Sequence, residues 1–280
     1  MSYALCLIAS RPCPNLYTVI TSLADAVAGL GLQLTGRQID QLARFRDLLA
    51  VSANAFNLTS LRDPESIERR HITESLAFGA LLQAHGLLHP AGPPQHGALE
   101  PGRSVEGREL LPVAARMLDI GTGAGLPGIP IKVAWPHLHL TLLESVGKKC
   151  RFLELACDAL GLAGVEVVEA RAEDFGRDPA RRERYDLAVA RAVAPLPVLL
   201  EYALPALRVG GWLAAPKGSA APSELEAATH AIEVLGGRLR DAAPFRPPHG
   251  ARQTVVLVEK IAPAPERYPR RPGIPSKRPL

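Results

Sequence analysis

Asp119, the glycines at 121, 123, 125 and 128, and Glu144 are the residues whose types and spacing point most directly to chemistry. A short apolar run, Met117-Leu118-Asp119-Ile120, breaks into Gly121-Thr122-Gly123-Ala124-Gly125-Leu126-Pro127-Gly128. The run reads as a buried strand, the glycines as a sharp loop, and the residues after them as a helix start. Glycine admits turns that other residues resist and lets backbone come against a ligand with no Cβ between them. A helix start adds unpaired N–H donors. The arrangement suits a nucleotide-like cofactor lying across the strand ends of an α/β sheet. An ordinary glycine-rich turn is the competing reading, so the flanking residues must decide.

Residues 123–128 formally spell G-x-G-x-x-G, the pattern of a dinucleotide site. Pro127 and Pro130 argue against it, because a pyrophosphate needs free N–H donors and proline has none. Downstream, His139-Leu140-Thr141-Leu142-Leu143 reads as a second strand. It ends on Glu144, about 20 residues beyond the glycines, where such a sheet sets an acid against ribose hydroxyls. A carboxylate there accepts both hydroxyl hydrogens. Ser145 is the expected N-cap of the next helix, with Val146, Cys150, Leu153 and Cys157 along one face. The form acid-x-G-x-G-x-G, Asp119 to Gly125, resembles the first motif of class I S-adenosylmethionine (AdoMet) methyltransferases, in which no phosphate needs cradling.

The order LDIGTGAGLPGIP, LLESVGKKCRFL, EARAEDF and DLAVARAVAPL resembles the RsmG (GidB) family of bacterial 16S rRNA guanine-N7 methyltransferases. The upstream FNLTSLRDPESIERRHITESL and the terminal ERYPRRPGIPSKRPL are similar to that family too, so the likeness spans roughly residues 38–82 and 115–280. It implies a class I AdoMet-methyltransferase fold: a Rossmann-like, mostly parallel seven-stranded sheet with an antiparallel last strand, after a small helical N-terminal cap. It also implies AdoMet as cofactor and a guanine in the 530 loop of 16S rRNA, free or in an assembling small subunit, as substrate. A non-catalytic RNA-binding or ribosome-assembly factor on the same fold is the alternative. A methyltransferase acting on protein or small molecules is a third.

By this resemblance Asp119, Gly121, Gly123, Gly125, Leu126, Glu144 and the backbone at Ala172 and Glu173 form the cofactor site. Arg191, at the end of the fourth strand, belongs there as well; physically its guanidinium suits a methionine carboxylate or a substrate phosphate. The resemblance also implies that Asn57 and His71 face the mouth of the site and, with Arg191, are candidates for positioning the base. Arg70, His71, Lys217 and Arg252 are candidate RNA contacts. Each has a plainer reading: a solvated acidic turn for Ala172-Glu173, a helix-start histidine for His71, a solvated lysine for Lys217. Family members often carry Arg-His where this chain has Arg252-Gln253, so no role is assigned to a histidine there. No acid–base catalyst is expected, because guanine N7 has an exposed lone pair and no proton to lose.

These residues require a scaffold, and the chain divides accordingly. Residues 1–17 form an extension expected to lack order, and 18–85 a helical cap with helices near 18–30, 35–53 and 71–85. Residues 86–114, rich in Gly, Pro and His, read as a flexible linker. The catalytic domain spans 115–260, with strands near 116–120, 139–143, 165–169, 185–190, 211–215 and 253–259 alternating with helices. Residues 261–280 are basic and proline-rich, expected to be extended, serving either as an RNA contact or as a solubilising tail.

Composition sets the outer limits. A chain of 280 residues with 47% hydrophobic content can bury a sizeable core. A net charge of +4 permits a polyanionic partner without demanding one. Few aromatics argue against a stacking platform for single-stranded RNA. Cys6, Cys13, Cys150 and Cys157 show no metal or disulfide spacing. No apolar run is of membrane-spanning length and no signal peptide is evident, so a cytoplasmic enzyme without metal or membrane partner is expected.

Overall fold

The computed structural model describes residues 22–56, 58–90, 104–105, 108–109, 111–112 and 114–280. The expected N-terminal extension, Cys6, Cys13 and Asn57 lie outside them.

The sheet is built on β1 (Arg116–Ile120), whose last four residues are all buried. A strand covered on both faces reads as a continuous apolar run, which is why MLDI shows no alternation. Around it lie β2 (His139–Glu144), β3 (Val165–Glu169), β4 (Tyr185–Val189), β5 (Leu207–Lys217), β6 (Gly237–Phe245) and β7 (Gln253–Lys260). Their spatial order is β3-β2-β1-β4-β5-β7-β6. β1 runs parallel to β2 and β4, and β7 runs antiparallel to β5. This is the expected Rossmann-like, mostly parallel, seven-stranded sheet with an antiparallel closing strand. Asp119 sits opposite Leu142 and Val189, so the glycine turn leaves the middle of the sheet, where the strand order reverses.

Two strand expectations need correction. β5 is 11 residues long and outruns the expected 211–215 at both ends. β6 has no counterpart among the expected strands. GRLRDAAPF carries Arg238, Arg240, Asp241 and Pro244 and lacks an apolar alternation. An edge strand tolerates these residues, since one side needs no partner and proline costs no ladder bond there.

The cap comprises α1 (Leu23–Gly29), α2 (Gly36–Phe56), α3 (Pro64–Ile67), a π-helical turn (Glu68–Ile72) and α4 (Thr73–Ala84). The third expected helix thus starts seven residues earlier than 71 and passes through an irregular turn. The cap is not a separate lobe. Leu42, Phe45 and Leu49 of α2 share one buried cluster with Leu142, Phe152 and Leu153 of the catalytic domain. Gln38 Nε2 donates to the Val133 carbonyl at 2.7 Å, and Gln41 Nε2 to that of Leu160 at 2.7 Å. These partners lie at the C-terminal ends of α5 (Gly128–Ala134) and α6 (Gly147–Leu160). The other face is covered by α7 (Ala172–Arg177), α8 (Leu196–Ala203) and α9 (Ala221–Val234).

α6 buries Cys150, Leu153 and Cys157 as expected, but Val146 precedes the helix and is exposed. Ser145 does not cap it; its N–H donates instead to Glu144 Oε1. Burial pushes the Cys150 and Cys157 thiols up to about 11 and 12, so both are inert packing residues.

The linker and tail also depart from expectation. At the ends of the 86–114 segment Leu87, Leu88 and Leu111 are buried. Trp135 Nε1 donates to the His89 carbonyl at 2.6 Å. Residues 91–103 lie outside the described residues. The tail is docked, not free. Ala264, Tyr268 and Pro275 are buried, and a short helix, α10 (Ile274–Lys277), packs against α8. Arg270 makes a bidentate pair with Glu201, whose side chain is fully buried. Arg182 donates to the carbonyls of Tyr268 and Ala264. A proline-rich segment can be ordered this way because the body of the protein supplies the donors and the carboxylate that the segment lacks.

Candidate functional site

The glycine turn is held together by Asp119. Its Oδ2 accepts from the Gly128 N–H at 2.8 Å and from Thr122 Oγ1 at 2.7 Å. Gly121, Gly123 and Gly125 all take left-handed φ, at 63°, 61° and 86°. A Cβ on Gly125 would meet Ile129 at 2.5 Å, and one on Gly121 would meet Val193 at 2.9 Å. A Cβ on Gly123 would meet only the Gly121 carbonyl, at 3.9 Å, so that position opens toward solvent. Asp119 is fully buried, and its Oδ1 has no hydrogen-bond partner among the described residues. Burial raises its carboxyl to about 7, against the opposing pull of Thr122, Gly128 and the Arg191 cation.

Glu144 closes the neighbouring strand. Its Oε1 accepts from the Ser145 and Val146 N–H groups at 2.8 and 3.0 Å. Its Oε2 accepts from the Gly123 N–H at 3.1 Å. The two sequence features, acid and glycines, are therefore one structural unit.

A cleft of about 960 Å³ opens between this unit and the cap. Gly121, Gly123 and Leu126 line it from the sheet, and Arg70, His71 and Glu74 from the cap. Arg191 lies at its floor, with Nη1 3.8 Å from Glu74 Oε2. Burial lowers the Arg191 pKa, while Glu74 and Asp119 pull the other way. The next residue, Ala192, holds φ at 57°, a strained conformation for alanine that is stored where the chain turns beneath the cleft. His71 Nε2 and Thr59 Oγ1 are 2.7 Å apart. Burial and the Arg191 cation lower His71 to about 4, so its imidazole is neutral at neutral pH.

The structure gathers Gly121, Gly123, Leu126, Arg191, Arg70, His71, Lys217 and Arg252 around the cleft. Asp119, Gly125 and Glu144 support its floor from behind. Ala172 begins α7 beyond β3, where the Ala170 N–H meets the Glu144 carbonyl at 3.1 Å. Glu173 turns its carboxylate away to the tail, accepting from the Gly273 N–H at 2.9 Å. Lys217 is not a solvated lysine. It is buried, donating to the Ala194 carbonyl at 2.6 Å and pairing with Glu224 at 2.9 Å. That arrangement braces the 191–195 loop and leaves Arg70 and Arg252 as the exposed cations of the rim. Glu74 was missed by sequence reasoning. Its spacing, three and four residues after His71 and Arg70, was the available signal for a shared helical face.

Residues 103–247 match the family model of rRNA small subunit methyltransferase G. A protein of that name from Roseiflexus castenholzii is 43% identical over 250 residues, covering 89% of this chain and 95% of the relative. Another, from Chloroflexus aggregans, is 39% identical over 258 residues, covering 92% and 97%. The chain belongs to the rRNA small subunit methyltransferase G family. Among solved structures, TrmN from Thermus thermophilus is 19% identical, with a TM-score of 0.45, over 69% of this chain and 53% of its own. Like the rRNA small subunit methyltransferase G chains it matches, the protein is a methyltransferase of small-subunit rRNA. No helix among the described residues is long and apolar enough to cross a membrane.

Proposed function

We propose that the protein transfers a methyl group from AdoMet to N7 of a guanine in the 530 loop of 16S rRNA, free or within an assembling small subunit. The observation that carries this reading is the unit of Asp119, the glycine turn and Glu144 opening into a cleft roofed by the cap. The residues fit AdoMet. The left-handed glycines leave backbone exposed at Gly123, Glu144 stands at the adjacent strand end for a ribose diol, and Asp119 Oδ1 is an unused buried acceptor. Gly121, Gly123, Gly125 and Leu126 would hold the methionine half, and the backbone at Ala172 and Glu173 the adenine. Bound AdoMet supplies an electrophilic methyl on a sulfonium.

In the transfer the N7 lone pair forms a bond to the methyl carbon as the carbon–sulfur bond breaks, its electron pair staying on sulfur. Positive charge passes to the purine, and no proton moves. The protein's task is to hold N7 about 3 Å from the methyl, in line with the departing sulfur. Arg191, His71 and Asn57 are the positioning residues. A neutral His71 adds no repulsion to the cation that forms. Arg70 and Arg252 at the rim contact RNA phosphate. A non-catalytic assembly factor would have no use for a glycine turn whose opening at Gly123 is kept clear.

Purified protein, tritiated AdoMet and small-subunit RNA or subunits from cells lacking the gene provide the test. Label released as 7-methylguanine supports the reading. AdoMet binding without label in any RNA removes it.

A further inference from the structure

Glu74 is the second residue of α4, directly after the π-helical turn that carries Arg70 and His71. Such turns recur at functional sites because the extra residue re-aims the side chains beyond it. The Glu74 side chain lines the cleft and is only 14% exposed. It makes no hydrogen bond with the described residues. Its nearest cation, Arg191, is 3.8 Å away, beyond hydrogen-bond distance. The other carboxylate lining the cleft, Glu224, is already engaged by Lys217 Nζ and the Leu196 N–H. Gly250 gives Glu74 its room: a Cβ there would lie 2.6 Å from Oε1.

An ionised carboxylate offers two oxygens that only accept. Guanine is the nucleobase with two adjacent N–H donors, N1–H and N2–H₂, on its Watson–Crick edge. Adenine, cytosine and uracil each place an acceptor beside their donor. On a purine, that edge lies across the bicycle from N7.

Resting on the guanine-N7 reading above, we propose that Glu74 is the specificity residue for the target base, its carboxylate accepting N1–H and N2–H₂ and thereby turning N7 toward the methyl donor. Arg191 beside it favours the ionised carboxylate against the burial that opposes it, while its oxygens stay open to the base. Burial raises the Glu74 pKa, and two base N–H donors would replace the water it has lost.

The experiment compares small-subunit RNA carrying guanosine or inosine at the target position. Inosine keeps N1–H and N7 but lacks the N2 amino group. For the wild-type chain, inosine is expected to lower kcat/KM about tenfold, the cost of leaving one charged hydrogen bond unmade. In Glu74→Gln the guanosine rate should fall to near the wild-type inosine rate, and the guanosine-to-inosine ratio should shrink to about twofold or less. AdoMet affinity, measured directly, should stay within about twofold. Glu74→Asp keeps the charge and should retain part of the discrimination, which covers the case in which the glutamine variant fails to fold. A ratio unchanged in Glu74→Gln, or no inosine penalty in the wild type, overturns the Glu74 assignment alone. A wild-type chain that methylates no guanosine RNA overturns the function on which it rests.

Discussion

Arg191 at the end of β4 pairs with Glu74 of α4 at 3.8 Å, so the catalytic sheet and the helical cap meet across the cleft through one ion pair. The pair is short of hydrogen-bond contact and largely buried, and it lies within the field of Asp119. Both groups are therefore held near one another without being saturated, the condition a binding site needs.

Replacing Arg191 by alanine is expected to lower methyl transfer by roughly 10- to 150-fold, the range set by losing charged hydrogen bonds worth about 1.5–3 kcal/mol. The fold should persist, because Arg191 makes no hydrogen bond with the described residues and its nearest carboxylate is 3.8 Å away. Circular dichroism alongside the transfer assay checks both halves of the claim. Full activity in the folded variant would remove Arg191 from the site.

Two of the turn glycines should respond differently to alanine. Gly125→Ala combines φ at 86° with a 2.5 Å approach to Ile129 and should destabilise the protein by about 2–5 kcal/mol. Gly123→Ala carries only the left-handed strain of about 1–2 kcal/mol, because its Cβ enters open space. Its expected effect is on AdoMet binding, at least about tenfold weaker, by the loss of close backbone approach. Urea unfolding and calorimetric titration separate the two. Unchanged AdoMet affinity in Gly123→Ala would show that the opening at Gly123 has no ligand purpose.

The tail should matter to stability. Arg270→Ala leaves the Glu201 carboxylate fully buried without its cation, a loss of about 3–5 kcal/mol. Glu201→Gln should cost less, because the charge it leaves unpaired, on Arg270, is partly exposed to solvent. Denaturation midpoints of the two variants give the comparison. A neutral Arg270→Ala would mean that the docked tail is only loosely held.

His71 predicts a pH dependence of defined sign. Its folded pKa, about 4, lies below its ordinary 6.5. As pH falls from 6.5 toward 4 the unfolded chain takes up a proton that the folded protein refuses, so stability drops in that window. His71→Gln should make the change between pH 7 and 4.5 less unfavourable; His137, lowered to about 4, adds in the same direction as His71, and Asp119, raised to about 7, in the opposite one. Urea midpoints at about pH 7, 5.5 and 4.5 read the slope. Identical slopes would mean that His71 titrates normally.

Much of the molecule could be read from residue order because local signals and tertiary demands agree there. The apolar run at Met117, the left-handed glycines and Glu144 each point to the same strand-turn-strand unit, and the structure joins them through the Gly123 N–H. β6 escaped because an edge strand has no apolar alternation to betray it. The tail escaped because its order comes from Glu201 and Arg182, 69 and 86 residues away in sequence from their contacts at Arg270 and Tyr268. Lys217 looked available for phosphate because nothing near it in sequence announces Ala194 and Glu224 as its partners. Glu74 carried a signal in its spacing from Arg70 and His71, but nothing in sequence announces Arg191, 117 residues on, as its neighbour across the cleft.

The central claim is tested most directly on small-subunit rRNA from cells with and without the gene, by 7-methylguanosine-specific chemical cleavage and then primer extension. The account predicts one cleavage site in the 530 loop that is present only when the gene is. Identical cleavage profiles in the two samples would contradict it.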